Sequence, residues 1–212
     1  MIGSRASLSA CLATIVALVM LALPAASPAH QIADLSGGVM TITGDRPLGD
    51  IPKPNDLITI DYDAGAKEFV FGQDLFEGHP AVCSPDSVNP QRIIHCPASA
   101  ISSIVIRAGI GSDTVCADAT TGAPKGGEAR AACKDVQSAS DMPLKVSMGP
   151  GADRFQGGPE KDNANGGSGS DQLYGGGGAD KLFGGPAPDK LFGGPGNDTC
   201  NPGGGVGKEN SC

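Results

Sequence analysis

A nine-residue repeat in the C-terminal part of the chain constrains the fold more than any other feature. From Met148 to Asn201 the sequence divides without insertion or deletion into the six units MGPGADRFQ, GGPEKDNAN, GGSGSDQLY, GGGGADKLF, GGPAPDKLF and GGPGNDTCN. Every unit has Gly at position 2 and Asp at position 6, and position 8 is mostly apolar. A unit this small cannot bury its own apolar residue, so it must stack on its neighbours, which predicts a solenoid.

The two halves of each repeat have different physical roles. Positions 7 to 9 can form a short strand whose apolar residue at position 8 faces inward. Glycines at positions 1, 2 and 4 allow a tight turn with positive φ and leave its carbonyl groups uncovered. Stacked turns bring their aspartates close together, where like charges repel. A cation between the turns would reverse that repulsion, and calcium prefers the carboxylate and carbonyl oxygens that such turns supply.

The repeat resembles the calcium-binding nonapeptide GGxGxDx-(apolar)-x of the repeats-in-toxin (RTX) family. Residues 166–174 and 175–183 match this pattern at every position, and residues 193–201 depart from it only through Cys200 in the apolar place. The other three units carry substitutions in the glycine positions, and AGIGSDTVC (108–116) is an isolated seventh copy.

The resemblance implies an all-β fold, a right-handed parallel β-roll or β-solenoid in which two nonapeptides complete one coil. Alternate turns then lie on the same edge and share calcium ions, which gives the pairs Asp153/Asp171, Asp171/Asp189, Asp162/Asp180 and Asp180/Asp198. The implied metal site residues are Asp113, Asp153, Asp162, Asp171, Asp180, Asp189 and Asp198 with Gly166, Gly167, Gly169, Gly175, Gly176, Gly178, Gly193, Gly194 and Gly196.

The first 29 residues have the pattern of a secretory signal peptide. Arg5 precedes an almost wholly apolar run from Leu8 to Leu23, and the small residues Ser27 and Ala29 suit cleavage after Ala29. The run is shorter than the roughly 20 residues that a membrane-spanning helix needs. We therefore expect a secreted or extracellular protein with no membrane span after signal cleavage.

Six cysteines follow the signal segment, and an even number in an exported chain indicates disulfide bonds. The spacing leaves the pairing open. We favour the sequential pairing, which closes three short loops: Cys83–Cys96, Cys116–Cys133 and Cys200–Cys212. The last of these would close the open end of the stacked repeats. A zinc site is the less favoured alternative because no two cysteines have CxxC spacing.

The remaining segments define the expected domain organisation. Residues 30–106 form an N-terminal β region, in which stretches such as DLITIDYD and ISSIVIR alternate apolar and polar residues. Residues 107–147 hold the isolated repeat copy and a disulfide-closed excursion. Residues 148–212 form the calcium-binding roll and its C-terminal cap. The short strands of the N-terminal region are either a separate fold or degenerate solenoid.

No catalytic pattern is present in the sequence. The three histidines do not form an HExxH motif, and a GxSxG nucleophile motif is absent. The net charge of −8 argues against nucleic-acid binding. We predict an exported calcium-binding β-roll protein and not an enzyme. Two alternatives stay open: a calcium-dependent surface adhesin or envelope component that binds a cell-surface glycan or protein, and a hydrolase with an unrecognised site in residues 30–106.

Overall fold

The structure of the chain is a computed structural model. The structure describes residues 32–44, 55–72, 80–88, 93–117, 142–205 and 209–212. The predicted signal peptide lies outside these residues, and so do residues 118–141, which make up most of the predicted excursion.

The described residues form an all-β fold of two sheets, with one short 3-10 helix at Ala98–Ala100. In spatial order, the seven-stranded sheet contains β1 (Ile32–Ser36), β2 (Val39–Thr43), β7 (Ser103–Arg107), β9 (Leu144–Pro150), β11 (Asn163–Ser168), β13 (Lys181–Gly185) and β15 (Thr199–Gly203). The nine-stranded sheet contains, also in spatial order, β16 (Glu209–Ser211), β14 (Lys190–Phe192), β12 (Gln172–Tyr174), β10 (Arg154–Gln156), β8 (Thr114–Cys116), β3 (Leu57–Asp63), β4 (Glu68–Gly72), β6 (Ile93–Pro97) and β5 (Ser84–Pro85).

Consecutive strands of the repeat segment alternate between the two sheets. Strand β10 pairs in parallel with β12, and β12 with β14, while β11 pairs in parallel with β13, and β13 with β15. Residues eighteen apart are therefore register partners, for example Phe155 with Leu173 in one sheet and Ala164 with Leu182 in the other. Two repeats are thus needed before the chain returns to the same sheet.

The N-terminal strands belong to the same two sheets as the repeats. Strand β2 pairs in parallel with β7, and β3 pairs in parallel with β8, which continues the order of the repeat strands. The sheets are mixed because β1 and β2 form an antiparallel hairpin and β3, β4, β6 and β5 also pair antiparallel. The β1–β2 connection is only Gly37–Gly38, with φ values of 57° and 81°, and so short a loop permits only antiparallel strands. The sequence patterns indicated strands here but not their pairing.

Among the described residues, one hydrophobic core contains side chains from both sheets and from both the N-terminal strands and the repeats. Position 8 of the first five repeats is fully buried, as inward-facing residues of short strands should be, and Cys200 at the sixth packs against the same core. The N-terminal strands contribute alternating residues in the same way. The fully buried members of the core include Met40, Ile42, Ile58, Ile60, Ile104, Ile106, Val115, Phe155, Ala164, Leu173, Leu182 and Leu191.

Two of the predicted disulfide bonds are present. Cys83 is bonded to Cys96, and Cys200 to Cys212, with Cα–Cα distances of 4.3 and 6.1 Å. Cys116 is also disulfide-bonded, and its partner lies outside the described residues. The Cys116–Cys133 pairing therefore stays a prediction, as does the division of the chain at residues 106 and 147.

Within the described residues, the structure contains no helix with the length and apolar character needed to cross a membrane.

Candidate metal site

The six repeat aspartates lie at the ends of the turns, immediately before the strands that follow. Asp153 and Asp162 are fully buried, Asp171, Asp180 and Asp189 are almost so, and only Asp198 at the end of the stack is half-buried. An ionised carboxylate is rarely buried unless it is paired with a cation or fully hydrogen-bonded. The hydrogen bonds that each carboxylate accepts therefore indicate whether it also needs a cation.

The aspartates form two columns, one at each edge of the stacked turns. In the first column the backbone N–H of Asp153 donates to Oδ1 of Asp171 at 2.9 Å, and the N–H of Asp171 donates to Oδ1 of Asp189 at 2.8 Å. In the second column Asp162 donates to Asp180, and Asp180 to Asp198, at 2.8 and 2.9 Å. The pairs implied by the resemblance are thus brought together, and in each pair Oδ1 of the later aspartate accepts the backbone N–H of the earlier one.

In most repeat turns the second carboxylate oxygen, Oδ2, is buried and has no hydrogen-bond partner among the described residues. Among the described residues, no hydrogen-bond partner reaches Oδ2 of Asp153, Asp171, Asp180 or Asp189. In the turn of Asp162, by contrast, the N–H of Gly158 donates to Oδ2 at 2.9 Å. A buried charged oxygen with no partner is strongly unfavourable, so these atoms require a proton or a cation.

Burial raises the pKa of these carboxyl groups from the ordinary value of 3.8. Desolvation is the main cause for all of them, and backbone hydrogen bonds oppose it. The pKa reaches about 7 for Asp153 and Asp162 and about 6 for Asp171 and Asp180. The pKa of Asp189 is also raised. The negative charge of the neighbouring aspartates in each column adds to the increase for the first four.

Glycine at position 1 leaves room for the aspartate of its own turn. A side chain at Gly166 would occupy the space of Asp171 Oδ2 and would come within 2.8 Å of the Gly184 carbonyl oxygen. Gly175 has the same relation to Asp180 Oδ2 and to the carbonyl oxygen of Gly193, which a side chain would approach within 2.6 Å. Gly157, Gly166 and Gly175 therefore mark points where the carboxylate of the turn and a carbonyl oxygen of the next stacked turn both lie close to the glycine. Gly193 likewise leaves room for Asp198 Oδ2.

Glycines at positions 2 and 4 lie directly above carbonyl groups of the stacked turn before them. Gly167 has a φ of 103°, and a side chain on it would collide with the Gly149 carbonyl. The same relation joins Gly169 to the carbonyl of Gly151. Carbonyl oxygens thus point from one turn toward the next without covering side chains. The equivalent glycines of the other turns are Gly176, Gly178, Gly194 and Gly196.

These donors fit a hard cation such as calcium. Among the described residues, no three His, Cys, Asp or Glu side chains form a group that could hold a metal ion. A cation in the turns would therefore take at most two carboxylates and complete its shell with backbone carbonyl oxygens. Calcium accepts six to eight such oxygen ligands in flexible geometry, whereas zinc prefers nitrogen and sulfur ligands in a compact shell.

The isolated repeat copy is not isolated in the structure. The N–H of Asp113 donates to Oδ1 of Asp153 at 2.7 Å, so Asp113 extends the first column by one turn. Asp56 extends it once more, because its N–H donates to Oδ1 of Asp113 at 2.9 Å. Sequence analysis missed Asp56, which no glycine-rich motif precedes. The only sequence signal is an aspartate immediately before a strand, β3.

A family model supports the resemblance. The model of the RTX calcium-binding nonapeptide repeat (4 copies) matches residues 149–182 and 174–207. The RTX resemblance is thereby confirmed for the C-terminal segment, and nonapeptide repeats of this kind bind calcium. No match was found among curated proteins or among solved structures.

We predict that acid stabilises the calcium-free protein. A carboxyl group whose pKa is higher in the folded state stabilises that state fully below its unfolded pKa, and the contribution disappears as pH rises through the folded pKa. The melting temperature in a chelating buffer should therefore fall as pH rises from about 4 to 7. Calcium affinity should rise over the same pH range, since protons and cations compete for the same oxygens.

Calorimetric melting at several pH values would check this prediction. Asp171→Asn removes one titrating group, so its melting temperature should depend less on pH than that of the wild type. A calcium-free melting temperature that is constant or rises over this range would contradict the prediction.

Substituting a position-1 glycine should weaken calcium binding. In Gly166→Ala the new methyl group occupies the space of Asp171 Oδ2, so we expect at least one site to lose about tenfold in affinity, or about 1.4 kcal/mol. Ser168→Ala is the matched control, because Ser168 is exposed and lies in the same turn. Isothermal titration calorimetry of both variants tests the expectation, and equal affinities would contradict it.

Proposed function

We propose that this chain is an exported, non-enzymatic protein whose repeats form a right-handed β-roll ordered by calcium. The observation that carries the proposal is the set of buried Oδ2 atoms of Asp153, Asp171, Asp180 and Asp189, for which no partner is present among the described residues. The family match at 149–207 and the alternation of parallel strands between two sheets support the same conclusion.

Each proposed site lies between two turns eighteen residues apart. The carboxylate of the later turn reaches back to the earlier turn through Oδ1, as in the 2.8 Å contact between the Asp162 N–H and Asp180. Its Oδ2 and the uncovered glycine carbonyls would face the ion. The proposed ligand aspartates are Asp153, Asp162, Asp171, Asp180, Asp189 and Asp198, and the glycines of positions 1, 2 and 4 provide the space and the carbonyls.

Binding and folding should be coupled in such a protein. Without a cation, the stacked turns hold several carboxylates that must be protonated or left as buried charges, and both states disfavour the ordered stack at neutral pH. A calcium ion supplies the positive charge that removes this penalty. Extracellular calcium-binding modules typically have dissociation constants of about 10⁻⁴–10⁻³ M. The repeats would then be ordered outside the cell and less ordered at the low calcium concentration inside it.

We predict that calcium increases the β-structure and the melting temperature of the full chain. The double variant Asp171→Asn plus Asp180→Asn should lose most of this response, because it removes one carboxylate from the centre of each column. The double variant Asp34→Asn plus Asp63→Asn removes the same charge from exposed positions and should respond like the wild type. Far-UV circular dichroism during a calcium titration measures all three proteins. A wild-type spectrum that is folded and unchanged by calcium or chelator would refute the proposal.

A second candidate function is binding of a cell-surface glycan by the calcium-ordered protein. On the outer face of the seven-stranded sheet, the register places Phe183 between Asn165 and Asn201, and the Phe183 side chain is exposed. These residues line a shallow depression of about 380 Å³ whose other walls include Gly185 and Pro186. An aromatic ring flanked by amide groups can pack against the apolar face of a sugar while the amides bind its hydroxyl groups.

A glycan array probed with labelled protein tests this candidate. We expect calcium-dependent binding that Phe183→Ala reduces at least tenfold and that Lys181→Ala, in the same strand, leaves within about twofold. Absence of binding in the presence of calcium, or equal binding by both variants, would rule the glycan function out.

A further inference from the structure

The first aspartate column extends well beyond the residues that match the family. Asp56 and Asp113 lie outside 149–207, yet their backbone N–H groups make the same contact as those of the repeats, at 2.9 and 2.7 Å to the next aspartate. The sequence separations are 57 and 40 residues instead of 18. Long insertions in the chain therefore leave the register of the column unchanged.

The turn at 108–113, which stacks against the turn of Asp153, makes the same glycine–carbonyl contacts as the repeat turns make with one another. A side chain at Gly149 would collide with the Gly109 carbonyl, and one at Gly151 with the Gly111 carbonyl. Gly167 and Gly169 have the same relation to the carbonyls of the turn below them. The turn at 108–113 thus presents its carbonyl oxygens to the turn of Asp153.

The carboxylate of Asp153 faces this junction. Its Oδ1 accepts the Asp113 N–H at 2.7 Å, which fixes the carboxylate against the turn at 108–113. Its Oδ2 is buried, and no described residue is its hydrogen-bond partner. The junction therefore combines two uncovered carbonyl groups of the turn at 108–113 with the Asp153 carboxylate, whose buried Oδ2 has no hydrogen-bond partner among the described residues.

A second junction lies one turn further toward the N-terminus. A side chain at Gly44 would come within 2.8 Å of Asp56 Oδ2 and would collide with the Ala108 carbonyl. In the repeats, Gly175 is placed in the same way against Asp180 Oδ2 and the Gly193 carbonyl. Gly44 precedes Asp56 by twelve residues, not five, so this position-1 glycine cannot be recognised from the sequence motif.

We propose that calcium sites continue along the first column into the N-terminal region, one between the turns of Asp113 and Asp153 and one between Asp56 and Asp113. The inference rests on the proposed calcium binding by the repeats. Its consequence is that the ions tie β3 and β8 to the repeat strands, since Asp56 and Asp113 immediately precede those strands. Calcium would then also order β3, which no repeat motif precedes in the sequence.

Hydrogen exchange of the full wild-type chain tests this directly and needs no variant. Calcium should slow amide exchange in peptides covering 109–116 and 55–60, as well as in peptides covering 172–192. Protection of 172–192 without added protection of 109–116 would refute the N-terminal sites while leaving the calcium-binding repeats intact. No protection anywhere would refute both proposals.

Ion counting by native mass spectrometry gives the second measurement. Asp113→Asn should bind at least one calcium ion fewer than the wild type and lose the protection at 109–116, because Asp113 belongs to both junctions. Asp34→Asn should match the wild type. Gly44→Ala changes only the junction between the turns of Asp56 and Asp113. This variant should bind one calcium ion fewer than the wild type, while calcium still protects residues 172–192 from exchange. Unchanged ion counts in both Asp113→Asn and Gly44→Ala would overturn the inference.

Discussion

The fold depends on how the buried aspartates are compensated where turns stack on one another. In every repeat aspartate except Asp162, one carboxylate oxygen accepts the N–H of the preceding aspartate in its column, as between Asp171 and Asp189, and Asp162 Oδ1 accepts the N–H of Leu144 instead. The other oxygen is buried without a hydrogen-bond partner among the described residues in four of the turns. Hydrogen bonds alone leave these buried oxygens uncompensated at neutral pH, and in the proposed function a shared cation would satisfy them.

The other features of the repeat follow from that constraint. Glycine at position 1 is needed because the carboxylate occupies the space of a side chain, and glycine at position 2 is needed because a carbonyl lies directly below it. The single inward residue at position 8, such as Leu173 or Leu182, fills a core only as wide as two short strands. Because this core is thin, we expect that turns joined by ions would contribute more to order than they would in an ordinary globular domain.

The sequence predicted much of the repeat segment and less of the rest. The nine-residue period correctly indicated an all-β fold, and Cys83–Cys96 and Cys200–Cys212 pair as expected. The antiparallel pairing of β1 with β2 and of β3 with β4 was not predicted, because alternating residues identify strands but not their partners. Asp56 and Gly44 were missed for a related reason. They are brought together by the stacking of distant segments, and the eleven residues that separate them in the sequence conceal the motif.

The most direct test of this account is a crystal structure of the calcium-loaded chain with an anomalous difference map. The account predicts calcium peaks between turns eighteen residues apart, within about 2.3–2.6 Å of carboxylate oxygens of Asp171 and Asp180 and of glycine carbonyls. Ordered turns with no peak between them, or calcium bound only at surface carboxylates elsewhere, would contradict it.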